Sequence, residues 1–122
     1  MSSAIPVEIN LHRLSKMLEL TYEDGQNFKL SAEYLRAFSP SAEVMGHGPG
    51  QRKVPLGKEN INIDRIEPVG NYAVVLHFDD DHNTGIYSWE TLLNLGTNFD
   101  DLWKQYLEEL VEAGYKRKDP AS

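Results

Sequence analysis

Residues 72–87 read YAVVLHFDDDHNTGIY, and this stretch predicts the β-hairpin around which the fold is built. The apolar run Tyr72–Phe78 is the strongest predicted strand of the chain. The polar residues Asp79–Asn83 predict a turn, and Thr84–Tyr87 predicts a short returning strand. The stretch therefore indicates antiparallel sheet structure.

Upstream segments extend the predicted sheet. Isoleucines alternate with polar residues over 61–67 and predict a strand, which ends in a turn at Pro68–Asn71. Residues 16–30 predict a second hairpin that reverses at Asp24-Gly25, because glycine accepts the positive φ of a tight turn. Residues 1–15 lack a clear period and predict an extended lead-in.

Helical patterns follow each hairpin. Ser31 predicts the N-cap of a short helix over Ala32–Phe38, which Pro40 ends. Ser88 or Thr91 begins a short helical turn that Gly96 ends. Asn98 is the predicted cap of the clearest helix, which Gly114 closes. The apolar residues that share one face of this helix are Phe99, Leu102, Trp103, Tyr106, Leu107 and Leu110.

Strands and helices do not alternate regularly along the chain, which argues against a doubly wound parallel sheet. We predict an α+β fold, with a mainly antiparallel sheet of about five strands, a short helix and a C-terminal amphipathic helix. The length of 122 residues suits one domain. We place that domain at residues 10–115 and expect flexible termini at 1–9 and 116–122.

Composition excludes several classes of function. The chain has 12 basic and 19 acidic residues, a net charge of −7, which disfavours broad binding to nucleic acid or anionic membranes. It contains no cysteine, so disulfides, thiolate catalysis and cysteine-based metal sites are excluded. No signal peptide or membrane-spanning segment is recognisable, and we expect a cytoplasmic location.

The segment 44–58 predicts a long irregular loop, a kind of element that often carries function. Its stretch Gly46–Gln51 is rich in glycine, but Gly57-Lys58 is followed by Glu59 rather than by the Ser or Thr of a phosphate-binding loop. A basic cluster near this loop could hold an anion, although a solvated face is the favoured interpretation. Its members are Arg52, Lys53, Lys58 and Arg65.

Three histidines are candidate metal ligands, namely His82, His77 and His47. His82 and His77 flank the acidic turn Asp79–Asp81, although a solvated turn is the favoured interpretation. His77 and Asp79 also match the His-x-Asp pattern of non-haem iron oxygenases. Those enzymes need a second histidine well downstream, and the last histidine here is His82, so we reject that site.

No catalytic residue and no cofactor are predicted. The chain has no Gly-x-Ser-x-Gly elbow, and no spacing pairs a nucleophile with a base. Aromatic residues occupy positions compatible with a core rather than a ligand cage, and an exposed part of that group would be a surface for a partner. The aromatic residues in question are Tyr87, Trp89, Phe99, Trp103 and Tyr106.

The run Phe78–Trp89, FDDDHNTGIYSW, resembles the signature of the DUF971 family, also called the gamma-butyrobetaine hydroxylase-like N-terminal domain. Ile66–Val74 and Gly46–Gln51 are similar to small stand-alone bacterial members. The resemblance covers residues 10–115. It implies a domain that, in dioxygenases acting on gamma-butyrobetaine and trimethyllysine, precedes a separate catalytic barrel. Related domains are also joined to iron–sulfur carrier ATPases.

The resemblance also implies a structural zinc site, held in the family by Cys-x-Cys-x-x-Cys and a distant histidine. These positions align with Ser39, Ser41, Val44 and His82. Three of the four ligands are therefore replaced, and serine hydroxyls are poor zinc ligands. We expect the zinc site to be absent and His82 to be an isolated turn residue.

The leading hypothesis is a non-catalytic binding or accessory module that acts on a protein partner. One alternative is a metal-binding protein centred on His82. Another is an accessory subunit of an Fe(II)/2-oxoglutarate oxygenase or of an iron–sulfur assembly system. The hypotheses predict different results, since a specific partner is expected from the first and the last, and bound transition metal from the second.

Overall fold

Two three-stranded antiparallel sheets form the framework of the protein. The structure is a computed structural model that describes residues 4–46, 50 and 52–118. The first sheet, in spatial order, contains β1 (Glu8–His12), β2 (Met17–Thr21) and β3 (Asn27–Ser31). The second contains β4 (Ile63–Val69), β5 (Ala73–Phe78) and β6 (Ile86–Ser88). Both predicted hairpins are confirmed, as β2–β3 and β5–β6.

The prediction of one sheet of about five strands is wrong, whereas the α+β class and the antiparallel pairing are confirmed. The structure has six strands, and the one that was not predicted is β1, which lies where we expected an extended lead-in. Its alternation involves only Ile9 and Leu11, which is too short to predict a strand from sequence. Those two residues pair with Leu20 and Leu18 of β2, so that the pairing partner, rather than the local pattern, makes β1 a strand.

Four helices complete the described part of the chain: α1 (Ala32–Ala37), α2 (Ala42–Met45), α3 (Trp89–Thr97) and α4 (Phe99–Glu112). Ser31 and Ser88 cap α1 and α3, as their side-chain oxygens accept from the backbone N–H groups of Tyr34 and Thr91. The short α2 overlaps the start of the predicted irregular loop, and Ser41 caps this helix. Within residues 4–46, 50 and 52–118, no helix has the length and apolar character needed to cross a bilayer.

Two predicted helix ends differ from the structure. Asn98 precedes α4 but makes no cap bond with its side chain, which instead donates to the backbone oxygen of Asn94 in α3. Gly96 lies inside α3 rather than ending it. A Cβ at Gly96 would lie 2.5 Å from the Cδ2 atom of Phe28, so the glycine allows helix and strand to approach closely. Gly114, with φ of 74°, follows α4 as predicted.

The main core lies between the two sheets and the helices. Leu18 and Leu20 of β2 and Leu76 of β5 are fully buried within it. Two buried tyrosines tie helices to this core, because a buried hydroxyl needs a hydrogen-bond partner. Tyr34 donates to the backbone oxygen of Leu95 and Tyr87 to that of Leu35, each at 2.6 Å.

Candidate functional site

The segment between α1 and α2 meets the β5–β6 turn and forms a polar cluster, which is buried at Ser39, Ser41 and His82 and exposed at Glu43 and Thr84. Its central contact joins Ser39 Oγ to His82 Nε2 at 2.8 Å. Ser39 is fully buried and His82 is only 4% exposed. We call the polar residues that meet here the serine–histidine cluster: Ser39, Ser41, Glu43, His82 and Thr84.

The other members of the serine–histidine cluster extend the central contact in both directions. Ser41 Oγ lies 2.6 Å from Thr84 Oγ1, and Thr84 donates to Glu43 Oε2 at 3.3 Å. The same Glu43 oxygen lies 2.7 Å from His82 Nδ1, an ion-pair distance, although this nitrogen makes no well-aligned hydrogen bond. The cluster thus links a hydroxyl, an imidazole and a carboxylate.

His82 was predicted to be an isolated turn residue, and this prediction is wrong. The turn is held by Asp80, whose Oδ1 accepts from the backbone N–H of His82 at 3.1 Å. Its Oδ2 accepts from Arg36 at 3.0 Å and from Lys58 at 2.6 Å. Burial alone would raise the pKa of Asp80, but the hydrogen bonds from Lys58 and Arg36 outweigh burial and lower the pKa to about 2. Because Asp80 fixes the turn in this way, the side chain of His82 is buried against Ser39.

The connectivity of Ser39, His82 and Glu43 is that of a nucleophile, a base and an orienting acid. The arrangement is nevertheless closed to substrates. Ser39 has no exposed surface, and a Cβ added at Gly85 would overlap its Oγ, so the backbone of Gly85 packs directly over the hydroxyl. A reacting carbon would need to lie beside that oxygen, where Gly85 already lies. The contact therefore fits a structural hydrogen bond rather than a working nucleophile.

The four positions implied for the family zinc do come together in part. Ser39 contacts His82, and Ser41 is two residues away with its backbone N–H directed at Ser39 Oγ. Val44 is buried and offers no donor atom. One imidazole and two neutral hydroxyls, of which one contacts that imidazole and the other contacts Thr84, do not make a zinc donor set. The residues present do not fit zinc.

The remaining metal candidates are dispersed. His77 Nε2 lies 2.8 Å from Glu67 Oε1 on the neighbouring strand β4. Asp79 accepts from the backbone N–H of Asn62, and Asp80 is already bound to two cations. His47 lies outside the described residues. In the part of the chain that the structure describes, no three His, Asp or Glu side chains form a metal-binding group.

The predicted basic cluster is also dispersed. Arg52 pairs with Glu109 of α4 through two bonds of 2.9 Å, and its guanidinium lies 4.4 Å from the centre of the Phe38 ring. Lys58 pairs with Asp80. These cations hold elements together, and they do not form a common anion site. Residues 47–49 and 51 of the glycine-rich stretch lie outside the described residues.

Burial of His82 leads to a prediction about pH. Burial lowers the pKa of this imidazole from its ordinary 6.5, and the nearby Arg36 lowers it further, while Glu43 acts in the opposite direction. The unfolded chain therefore binds this proton more readily than the folded chain. The free energy of unfolding should be greatest above about pH 6.5 and fall as the pH drops below that value.

This dependence can be measured by urea unfolding between about pH 7.5 and about pH 5. In His82→Gln the free energy of unfolding should change less with pH than in the unchanged protein. This holds even if the substitution lowers the free energy of unfolding at every pH. Asp80 does not interfere, because its carboxyl titrates at lower pH. Lys104→Gln, at an exposed position, is the control, whereas His12 is unsuitable because its ring lies 2.7 Å from the Glu19 carboxylate. An unchanged slope in His82→Gln would contradict the assignment.

An open pocket lies elsewhere on the molecule, at the end of the first sheet beside α1 and α4. It has a volume of about 310 Å³, within the range of small-ligand sites, and none of the serine–histidine cluster lines it. Its apolar lining comes from Met17, Ile61, Phe99 and Trp103. Phe99 and Trp103 are stacked with ring centres 6.0 Å apart, and both are half-buried. We call this site the apolar pocket.

Two buried carboxylates form part of the wall of the apolar pocket. Glu33 is 4% exposed, and it accepts from Tyr106 Oη at 2.8 Å and from Arg117 Nε and Nη2 at 2.8 and 2.6 Å. Glu59 is 7% exposed, and it accepts from the Tyr115 hydroxyl and the Lys118 backbone N–H, both at 2.7 Å. Both carboxylates are therefore satisfied from within the chain.

Sequence reasoning missed this pocket. Glu33 follows a helix cap and resembles an ordinary first-turn acid, and Arg117 lies in the tail expected to be flexible. The two residues are 84 positions apart, and no local pattern joins them. One signal was available, namely the group of aromatic residues of which an exposed part was expected to form a surface. Phe99 and Trp103 are that exposed part, whereas Tyr87 and Tyr106 are buried.

Comparison with known proteins connects this geometry to a family. Two solution NMR structures are each 45% identical to this chain, with a TM-score of 0.82, over 99% of this chain and 94% or 90% of the other. A crystal structure of a DUF971 family protein from Acidithiobacillus ferrooxidans is 38% identical, with a TM-score of 0.63, over 75% of this chain and 91% of that one. No curated protein matches the chain. Residues 9–93 match the family described as gamma-butyrobetaine hydroxylase-like, N-terminal. The chain therefore belongs to the gamma-butyrobetaine hydroxylase-like N-terminal family, also called DUF971.

Proposed function

We propose that this protein is a non-catalytic binding module whose partner is another protein. The observation that carries the proposal is a contrast between two sites. The nucleophile–base pair Ser39–His82 is sealed beneath Gly85, whereas the apolar pocket is open and presents stacked aromatic rings to solvent. Half-buried aromatic side chains at an open pocket are typical of surfaces that bind a partner.

The proposal has two negative parts, and each has a direct check. It holds that the serine–histidine cluster performs no acyl transfer, so covalent labelling of Ser39 by a fluorophosphonate would contradict it. It also holds that the protein works without resident zinc, because the donor set at Ser39, Ser41, Val44 and His82 does not fit the metal. Stoichiometric zinc in protein purified without a histidine tag would contradict that part.

The binding part is tested by photo-crosslinking in cell extract. A photoreactive amino acid is placed at Ser15, an exposed residue of the apolar pocket, and separately at Glu67, an exposed residue of β4 outside it. We expect a discrete protein to be crosslinked from position 15 and not from position 67. Equal capture at the two positions, or no capture at position 15, would contradict the proposal.

The family description favours one class of partner. The family takes its name from a hydroxylase in which a domain of this kind is N-terminal. A separate chain of the same family would act in trans as an accessory subunit of an oxygenase. Identification of the protein crosslinked from Ser15 decides this point, because a partner without an oxygenase domain would exclude the accessory role while leaving the binding module intact.

A further inference from the structure

The geometry points to a specific ligand for the apolar pocket, namely the free C-terminus of a protein partner that ends in a large apolar residue. This inference rests on the proposed binding function and adds the chemistry of what is bound. It follows from the charges around the pocket, from the conformation of Lys16 and from the nature of the lining.

The side chains that remain available for a ligand at the apolar pocket are cationic. Lys16 and Lys29 line it, and neither ammonium makes a hydrogen bond or ion pair with the residues that the structure describes, although Glu19 faces Lys29 across the β2–β3 pair. Arg117 binds Glu33 through Nε and Nη2, which leaves Nη1 free of that contact. Three cations thus line a pocket on a chain whose net charge is −7.

The carboxylates of the pocket offset this positive character only in part, since they are two against three cations. Glu33 and Glu59 are almost fully buried, and their oxygens accept from Arg117 and Tyr106 and from Tyr115 and Lys118. An incoming ligand therefore meets acids whose oxygens are already hydrogen-bonded, and the ammonium groups of Lys16 and Lys29, which have no hydrogen-bond or ion-pair partner among the described residues. An anionic group placed beside these two lysines is their complement, and the attraction acts at contact range because the chain as a whole is acidic.

Lys16 has a backbone conformation that lysine rarely adopts. Its φ is 59°, in the left-handed region that favours glycine or asparagine. Its backbone oxygen accepts from the N–H of Ala32 at 2.9 Å, which fixes this turn against the start of α1. Lys16 is the last residue of the β1–β2 turn, and hairpin turns of this length commonly hold one residue in that region. The turn therefore fixes the backbone from which a long cationic side chain reaches the pocket.

The apolar lining of the pocket predicts that the ligand has an apolar group next to its anionic group. Met17, Ile61, Phe99 and Trp103 offer aliphatic and aromatic contact. In a C-terminal residue, the carboxylate and the side chain diverge from one Cα, so one residue can fill the apolar lining while its carboxylate reaches the cations. A phosphate or sulfate ion has no apolar part and would leave that lining empty.

The test is an NMR titration of the full-length, ¹⁵N-labelled chain with acetylated tetrapeptides. The peptides are Ala-Ala-Ala followed by Phe, Leu or Asp, each as the free acid and as the C-terminal amide. We expect the Phe or Leu acid to bind at least about tenfold more tightly than its amide, and to shift the amides of Lys16 and Met17 and the indole N–H of Trp103. Equal affinity of acid and amide, shifts confined to other residues, or no shifts with any peptide would overturn the inference.

Three variants make the result specific. Lys16→Asn removes the ammonium and suits the left-handed backbone, so it should bind at least about fivefold more weakly without loss of stability. Lys29→Gln should weaken binding to a similar extent. Lys53→Gln, at an exposed position outside the pocket, should bind as the unchanged protein does. Arg117 is not used, because its removal is expected to destabilise the fold.

Two outcomes distinguish recognition of a protein C-terminus from binding of a small carboxylate and from binding of a partner in another way. If 3-phenylpropionate binds as tightly as the peptide acid, the ligand is a small carboxylate and the assignment to a protein C-terminus is overturned. If a partner is crosslinked specifically from Ser15, but Lys16→Asn and Lys29→Gln capture it equally well, the binding module stands and the C-terminal recognition fails.

Discussion

Replacing Arg117 with Ala is expected to lower the free energy of unfolding by about 3 kcal/mol. The guanidinium is the cationic partner of Glu33, a carboxylate that is only 4% exposed and that would keep just the Tyr106 hydroxyl as donor. The substitution also removes the contact of the guanidinium with the Trp103 ring, at 5.4 Å from its centre. Because Arg117 itself is partly exposed, we take the lower end of the range for broken buried ion pairs. Urea unfolding at neutral pH measures the change.

Two comparisons show whether the cause is the ion pair. The double variant Glu33→Gln/Arg117→Gln leaves no charge at position 33 and should be more stable than Arg117→Ala. Lys116→Ala, at an exposed neighbouring position, should change stability by less than about 0.5 kcal/mol. If Arg117→Ala were equally mild, Tyr115–Lys118 would not be bound to the domain in solution, and the wall of the apolar pocket would be absent.

The second large effect is expected at Gly85. Gly85→Ala should lower the free energy of unfolding by about 2–3 kcal/mol, since the added methyl group overlaps Ser39 Oγ, and Ser39 is fully buried. The same Cβ would lie 3.3 Å from Cε1 of Tyr87 and 3.4 Å from Cδ of Pro40, which leaves little room for the methyl to shift. Thermal or urea unfolding of the purified variant checks this value.

A double-mutant cycle identifies the clash. Ser39→Ala removes the oxygen that overlaps the new methyl, so the variant Gly85→Ala/Ser39→Ala should be more stable than the sum of the two single changes by about 1 kcal/mol or more. Strict additivity would mean that Ser39 is not the group that excludes a side chain at position 85. The Ser39 hydroxyl would then not be sealed beneath Gly85.

Much of the local structure could be predicted, because its determinants are close together in sequence. The turn at Asp24-Gly25 and the cap at Ser31 act over a few residues and were found where the sequence indicates them. Of the two predicted starts of α3, Ser88 or Thr91, Ser88 is the cap. The apolar face of α4 depends on a period of 3.6 residues within one segment, and it is confirmed except at Leu107, which is exposed. The family resemblance, carried by Phe78–Trp89, was likewise a local pattern, and the match over residues 9–93 confirms it.

The errors share a different origin. β1 has no strong period of its own and becomes a strand because Ile9 and Leu11 pair with β2. Asn98 has the side chain of a good cap, but the close approach of α3 offers it the Asn94 oxygen instead. His82 was interpreted from its polar neighbours in the turn, whereas Asp80 and Ser39 draw it inward. In each case a contact from another element outweighed the local preference.

The sequence by itself determined the α+β class, the two hairpins, the helix start at Ser31 and the membership of the family, and it left the start of α3 open between Ser88 and Thr91. Only the tertiary structure decided that the strands form two sheets, that Ser39 meets His82 across 43 positions, and that Arg117 closes on Glu33 across 84. The physical reason is the range of the forces that specify each feature. Turn geometry, caps and amphipathic periods act between residues within a few positions of one another, so a short stretch of sequence is enough to predict them. Buried hydrogen bonds and ion pairs form between whichever groups the packed core brings together, and that choice depends on all of the elements at once.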